Sequence, residues 1–306
     1  MYKIILCAWF IIDSLISQTI IGPGLTKDAL FTYLSTNYKT SSTLGYSQAR
    51  DIMYSIIDIQ ENNVLSGIYT GYSIVLDLTQ DPSTNAYEQD INCEHSWPQS
   101  MGASSEPQKS DLHHLYPCKA NVNSARGNRP FGDINDEDTD KWFRLDYDQT
   151  SIPNQNIDEY SEADYDADRF EPREHIKGDI ARGMFYFFTI YNNAANHNFF
   201  EEQKDFLFLW HKQDPVNDIE LSRTFSIASY QDDIVNPFVV DSTLVKRIWY
   251  FSCYENVTSQ ELLEHITGYD NYEPTIDINS DSKINLMDLI YIMDRESGYT
   301  AYFICN

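Results

Sequence analysis

The sequence predicts an α+β protein with a small helical module appended at its C-terminus, on three observations. Apolar residues recur at helical spacing in two separate regions. Between them lies a β-branched, glycine-punctuated stretch that reads as strands. The character of the chain also changes after Glu255. Hydrophobic residues fill 42% of the 306 positions and aromatic ones 14%, too much apolar material for a disordered chain. That length suits one main domain over 26–255 with an appendage over 262–306.

At the N-terminus, Met1-Tyr2-Lys3 followed by the apolar run Ile4 to Ile12 has the basic start and short core of a signal peptide. Residues 1–17 are therefore expected to be removed, and the mature protein to be secreted or periplasmic. The run is well short of the roughly 20 residues needed to span a bilayer, so no membrane anchor is expected. Cleavage discards Cys7 and leaves Cys93, Cys118, Cys253 and Cys305, an even set suited to an oxidising compartment. Of the three pairings open to them, Cys93 with Cys118 is favoured, because that bridge would brace the motif region.

From Thr26 to Gln60 the apolar period is helical, with residues 47–57 reading as an amphipathic helix. Asn63 to Tyr72 and Ser73 to Leu78 read as strands broken by glycine turns that lead into the motif region. The acid-rich stretch Asp133 to Asp168 has little period and reads as a long surface excursion with short ordered pieces, its charges on a solvated face. Ile176 to Tyr191 reads as a mostly buried helix and Glu201 to His211 as a second one.

A net charge of −26 argues against non-specific attraction of the whole protein to nucleic acid. The acids are unevenly placed, however. Asp133 to Glu174 holds fifteen Asp or Glu against four Lys or Arg, whereas Cys93 to Gly132 holds three acids, four Lys or Arg and three His. A locally basic cleft is compatible with that distribution.

Within that less acidic segment, Glu94 and His95 set a carboxylate beside an imidazole before a proline turn. On a strand they would face opposite ways, so a bulge or strand end is needed to bring both to one site. Asp111-Leu112-His113-His114-Leu115-Tyr116-Pro117 and Asn121 to Asn128 add polar residues in a short span. A hard cation such as Mg²⁺ prefers oxygen ligands and keeps several waters, so Glu94 and Asn128 make a sensible minimal donor set. An imidazole ordinarily titrates near working pH, so His95 suits a general base. Arg126 is read as a phosphate clamp, with a structural ion pair as its equal alternative. His113 and His114 compete between catalysis and bracing the core, while Lys119, Arg129, Lys177 and Arg182 are second-rank phosphate contacts.

Glu-His-Ser-Trp-Pro at 94–98, Asp-Leu-His-His-Leu-Tyr-Pro at 111–117 and Asn-x-x-Arg-Gly-Asn-x-Pro-Phe-Gly at 123–132 together resemble the endonuclease I family of secreted bacterial nucleases. The resemblance continues through Lys177 to Tyr186, Leu209 to Val216, Glu220, Arg223 and Asn236 to Val239, covering about residues 28 to 250. It implies a ββα-metal (His-Me finger) core surrounded by helices. On that reading His95 is the general base for water attacking in line, and Glu94 and Asn128 hold one Mg²⁺ on the scissile phosphate of DNA, RNA or both. One departure stands out. The family usually carries Gln-Gly-Asn-x-Asn-Pro-Phe, whereas here Gln231-Asp232-Asp233 precedes Ile234 and Asn236-Pro237-Phe238, which puts the local loop geometry in question.

In the appended segment, Asp277, Asn279, Asp281, Asn285 and Asp288 fall at positions 1, 3, 5, 9 and 12 of a twelve-residue loop, with Lys283 at position 7. This resembles a single dockerin-type Ca²⁺ repeat. Ser282 stands where glycine normally permits the turn, which weakens the calcium reading without removing it, and an acidic turn capping the next helix is its alternative. A cohesin-like partner would follow from the dockerin reading. The competing class for the whole chain is a secreted calcium-dependent binding or adhesion protein on an inactive nuclease scaffold.

Overall fold

A computed structural model describes residues 19–250 and 259–268 of the chain. The expected signal peptide at 1–17, Cys253, Cys305 and the loop from Asp277 to Asp288 lie outside those residues. The architecture is α+β: helices packed around a buried central helix, with three small antiparallel sheets.

Helices α1 (Lys27–Asn37) and α2 (Tyr46–Ile52) come first. The second continues through a π turn at Met53–Ile57, and together they bury Leu30, Leu34, Ala49, Met53 and Tyr54. Strands β1 (Val64–Ser66) and β2 (Ser73–Val75) pair with Val64 opposite Val75. They are shorter than the expected runs. Next comes α3 (Pro82–Glu88), a helix with no apolar period but with a readable start: the Asp81 carboxylate accepts from Thr84 N at 2.8 Å, and Pro82 occupies the first turn.

Strands β3 (Ile91–His95) and β4 (Leu115–Lys119) form an antiparallel ribbon that runs directly into α4 (Ala120–Arg126). The register sets Glu94 opposite Tyr116 and His95 opposite Leu115. Because side chains alternate along a strand, one face carries Glu94, Tyr116 and Cys118, and the other carries His95, Leu115, Ile91 and Cys93. Each face packs on its own apolar cluster, the first around α5 and the second under α2. This rules out the favoured disulfide. Cys118 pairs with Asn92, one residue away from Cys93 in register, so the two sulfurs leave opposite faces and both are free thiols.

The stretch from Asp133 to Asp168, expected as a surface excursion, instead builds most of a four-stranded sheet. Its strands β5 (Lys141–Arg144), β6 (Tyr147–Gln149), β7 (Ser161–Asp164) and β8 (Arg169–Glu171) take the order β6-β5-β7-β8. Strands of three and four residues are too short to show a period, which is why the composition misled. Three acids of this sheet, Glu162, Asp164 and Glu171, are buried. Glu162 and Glu171 stand directly opposite each other across β7 and β8, an unfavourable pairing of like charges. Lys177 Nζ neutralises Glu171 at 2.6 Å. Glu162 has Thr139 Oγ1 at 2.5 Å, and burial followed by the charge of Glu171 raises its carboxyl from 4.5 to about 8. A carboxyl raised in the folded state adds stability below pH 4.5, and that contribution is lost as pH rises through about 8. Urea unfolding should therefore show a drop between those limits that is smaller in Glu162→Gln. An unchanged difference would contradict the protonated Glu162.

Helix α5 (Lys177–Ile190) is the expected buried helix, enclosed on nearly every side. Helix α6 (His197–Gln213) contains the second expected helix. The Asn196 side chain accepts from Phe199 N at its start, and Pro215 follows just beyond its end. The two helices meet through Phe188 stacked on Phe200 at 3.8 Å, and Trp97 stacks on Phe187 at 4.7 Å. Full burial of one such ring is worth about 1.5–3 kcal/mol. Helices α7 (Asp218–Ala228) and α8 (Pro237–Val240) follow, then α9 (Ser259–Gly268), inside which the expected module boundary at 262 falls. Among the described residues no helix is long and apolar enough to cross a membrane.

Candidate active site

The ribbon ends where the two motif residues lie. His95 is the last residue of β3, and Trp97-Pro98 turns the chain away behind it. Past β4, α4 stops at Gly127, whose φ of 55° lies in the left-handed region that glycine adopts without a Cβ clash. The turn leaves Asn128 exposed just beyond Arg126.

Glu94 is 1% exposed. Its Oε1 accepts from the Tyr69 hydroxyl at 2.7 Å and lies 3.4 Å from Arg126 Nη1. Burial raises its carboxyl above the ordinary value, while Arg126 and the Tyr69 hydrogen bond pull the other way; burial wins. Arg126, 0% exposed, spends its guanidinium on the backbone: Nη1 donates to His95 O at 3.2 Å and Gly127 O at 3.3 Å, and Nη2 to Ser96 O at 2.6 Å. It also lies over the Phe131 ring at 4.4 Å, and its Nε has no partner. One side chain thus ties the end of α4 to the end of β3.

His95, 7% exposed, leaves the opposite face. Its Nε2 lies 3.0 Å from the carbonyl oxygen of Lys109. A carbonyl can only accept, so Nε2 carries the hydrogen and Nδ1 keeps its lone pair. Burial, and then His114, lower the imidazole from 6.5 to about 3, which holds the ring neutral at working pH. Tyr46 packs on the ring at 5.4 Å and His114 at 5.5 Å.

The neighbouring motif residues brace this arrangement. Asp111 is buried and accepts from the Tyr186 and Tyr191 hydroxyls at 2.8 and 2.6 Å, from Gln231 at 2.9 Å and from His113 N at 3.0 Å. His113 Nε2 reaches Ile234 O at 2.9 Å, and His114 Nε2 reaches Gln108 O at 2.7 Å. Both rings are therefore tied to the backbone of the core. Lys177 is buried among Glu171, Glu174 and Asp133, and Arg182 is gripped by Glu220 at 2.6 and 2.7 Å. Arg129 pairs with Asp168, and Lys119 lies over Tyr72. Helix α5 can pass beneath the site because Gly183 lacks a side chain: a Cβ there would sit 3.3 Å from His113 O.

The departure at 232 has a structural answer. Asp232 and Asp233 adopt φ of 56° and 59°, and Asp tolerates the left-handed region better than most residues. The Asp232 carboxylate collects donors from Thr40, Ser41 and Ser42 at 2.7 to 3.1 Å, which hold it well below the usual carboxylate range. Gln231 meanwhile binds both Leu112 N and Asp111. The loop keeps its contact with the motif.

Sequence reasoning missed Tyr69 and Tyr46, which touch Glu94 and His95 from the two sides. In a chain with 22 tyrosines their residue type carries no mark, although Tyr69 lies between Gly67 and Gly71. Among the described residues no cluster of three or more His, Cys, Asp or Glu is arranged to hold a metal. The expected donor set, one carboxylate and one amide, is smaller than that.

Comparison with known proteins bears on the same segment. Residues 25–243 match the family model described as Endonuclease I. Over 245 residues, 74% of this chain and 76% of the other, the sequence is 29% identical to a protein named Extracellular ribonuclease from Bacillus subtilis (strain 168). A protein of the same name from Bacillus amyloliquefaciens is 30% identical over 178 residues, 52% of this chain and 54% of that one.

Proposed function

The chain belongs to the endonuclease I family, and on that premise we propose that it is a secreted, Mg²⁺-dependent endonuclease that hydrolyses phosphodiester bonds with little base specificity. The names of the Bacillus relatives favour RNA among its substrates and an extracellular place of action. The observation that carries the reading is His95: a neutral imidazole at a strand end, its Nε2 engaged by a carbonyl and its Nδ1 left to accept a proton.

We read β3, β4 and α4 as the ββα-metal (His-Me finger) unit. Glu94 and His95 leave opposite faces of the ribbon, so this reading requires the phosphate to lie past the ribbon end that His95 closes. Nδ1 of His95 takes a proton from the attacking water. Glu94 and Asn128 would hold Mg²⁺. Their oxygens suit a hard cation, and a buried carboxylate already beside one cation has its charged form supported by another. When bound, the metal polarises the phosphate and stabilises charge on the leaving oxygen. In this reading Arg126 positions the strand end and the carboxylate.

For the C-terminal segment the reading remains that of the sequence: Ca²⁺ held by Asp277, Asn279, Asp281, Lys283 through its backbone, and Asp288. The nuclease proposal is tested by incubating the mature protein with plasmid and with RNA, in Mg²⁺ or in chelator. Internal cleavage in Mg²⁺ that stops in chelator is the expected result. Chelator-insensitive cleavage contradicts the metal, and no cleavage with any divalent ion contradicts the activity.

A further inference from the structure

We infer that Arg50 and Lys109, held against the ring of Tyr46, form a subsite beside His95 that binds a backbone phosphate neighbouring the scissile one. The inference rests on the nuclease reading for the place of the scissile bond, and on independent geometry for the subsite.

The Tyr46 ring packs on the His95 imidazole at 5.4 Å, tilted by 36°. The Arg50 guanidinium lies 4.7 Å from the centre of that same ring and Lys109 Nζ lies 4.9 Å from it. Each charge is therefore no farther from the imidazole than those two spacings laid end to end. Phosphates recur about every 3.4 Å along one strand of a duplex, so both cations fall within a few nucleotides of the bond His95 would address.

What separates these two cations from most others is how they are satisfied. Arg126, Lys177, Arg182, Arg223 and Arg247 each meet a carboxylate. Among the described residues, neither Arg50 nor Lys109 forms such a pair, in a chain where 47 acids outnumber 21 Lys and Arg. Asp81, fully exposed, senses the Arg50 charge only weakly and makes no ion pair with it. Arg50 Nε is buried with no hydrogen-bond partner, as Arg126 Nε also is, a state that buried polar groups rarely hold without a ligand or water.

A ring quadrupole attracts a cation by about 0.5–1 kcal/mol at an exposed site but carries no net charge. Tyr46 therefore fixes both groups without cancelling their positive potential. A carboxylate in its place would neutralise them. Lys109 also couples the subsite to the chemistry, because its carbonyl oxygen is the acceptor that orients His95. A phosphate gripped by its ammonium bears on the residue that fixes the base.

The test measures binding of a labelled single-stranded oligonucleotide to the full chain by fluorescence anisotropy, in chelator, across a salt series. For Lys109→Gln and Arg50→Gln we expect weaker binding, with the slope of log K against log salt reduced by about 0.7 for each charge removed. Lys109→Arg and Arg50→Lys should keep the slope. Lys109→Gln decides alone if Arg50→Gln fails to fold. If it melts like the wild type and binds with the wild-type affinity and slope, the subsite is overturned. Absence of any oligonucleotide binding by the wild type overturns it as well. Failure of the nuclease reading looks different: no cleavage with any divalent metal, while anisotropy still reports a cation-dependent slope.

Discussion

His95→Ala should lower kcat on RNA or plasmid DNA by about 10²–10⁴-fold, the span that a positioned general base contributes. The fold should survive the change. His95 makes one hydrogen bond to a carbonyl, whose loss costs about 1 kcal/mol. Oligonucleotide binding should persist too, because the imidazole is neutral and carries no charge for the phosphate to lose. The ring stays neutral down to about pH 3 in the free protein, so the acid limb of kcat/KM should fall below histidine's ordinary 6.5. Initial rates in Mg²⁺ between pH 4 and 9, alongside thermal melts, check each part. An alanine variant as active as the wild type removes His95 from the chemistry, and a limb centred at 6.5 contradicts its burial.

Legibility in the sequence tracked the length of each element. Ile176 to Tyr191 and Glu201 to His211 carry enough turns for the 3.6-residue period to emerge, and α5 and α6 lie where that period places them. Strands of three to five residues offer no such statistic. The sheet containing Trp142, Phe143 and Phe170 was hidden inside an acid-rich stretch whose composition speaks of solvent. Composition misleads there because three acids of the sheet are buried and answered by Lys177, Thr139 and backbone N–H groups. In the candidate site, Glu94, His95 and Asn128 could be nominated from the sequence, since each is a chemically marked residue type. Their surroundings were not. Which face of the ribbon a side chain takes depends on register, set by contacts between residues 91–95 and 115–119, and the same register parts Cys93 from Cys118.

Arg126→Met should destabilise the protein by about 3–5 kcal/mol, the usual consequence of removing one partner from a buried ion pair. Glu94, 1% exposed, would keep the Tyr69 hydroxyl but lose the guanidinium beside it, and the carbonyls of His95, Ser96 and Gly127 would each lose a donor. Two readings of this arginine make opposite predictions. A phosphate clamp spends its donors on substrate, so its removal raises KM and leaves the urea midpoint in place. A brace spends them on the protein, so the midpoint falls and activity falls with it. The contacts favour the brace, and Arg126→Lys should recover only part of the loss, because an ammonium cannot span separated carbonyls as a planar fork does. A second substitution sharpens the distinction. If the loss comes largely from a stranded carboxylate, adding Glu94→Gln should make the double variant more stable than Arg126→Met alone, a coupling that the clamp does not predict. Urea unfolding of the four proteins measures it, and strictly additive changes would return Arg126 to the substrate.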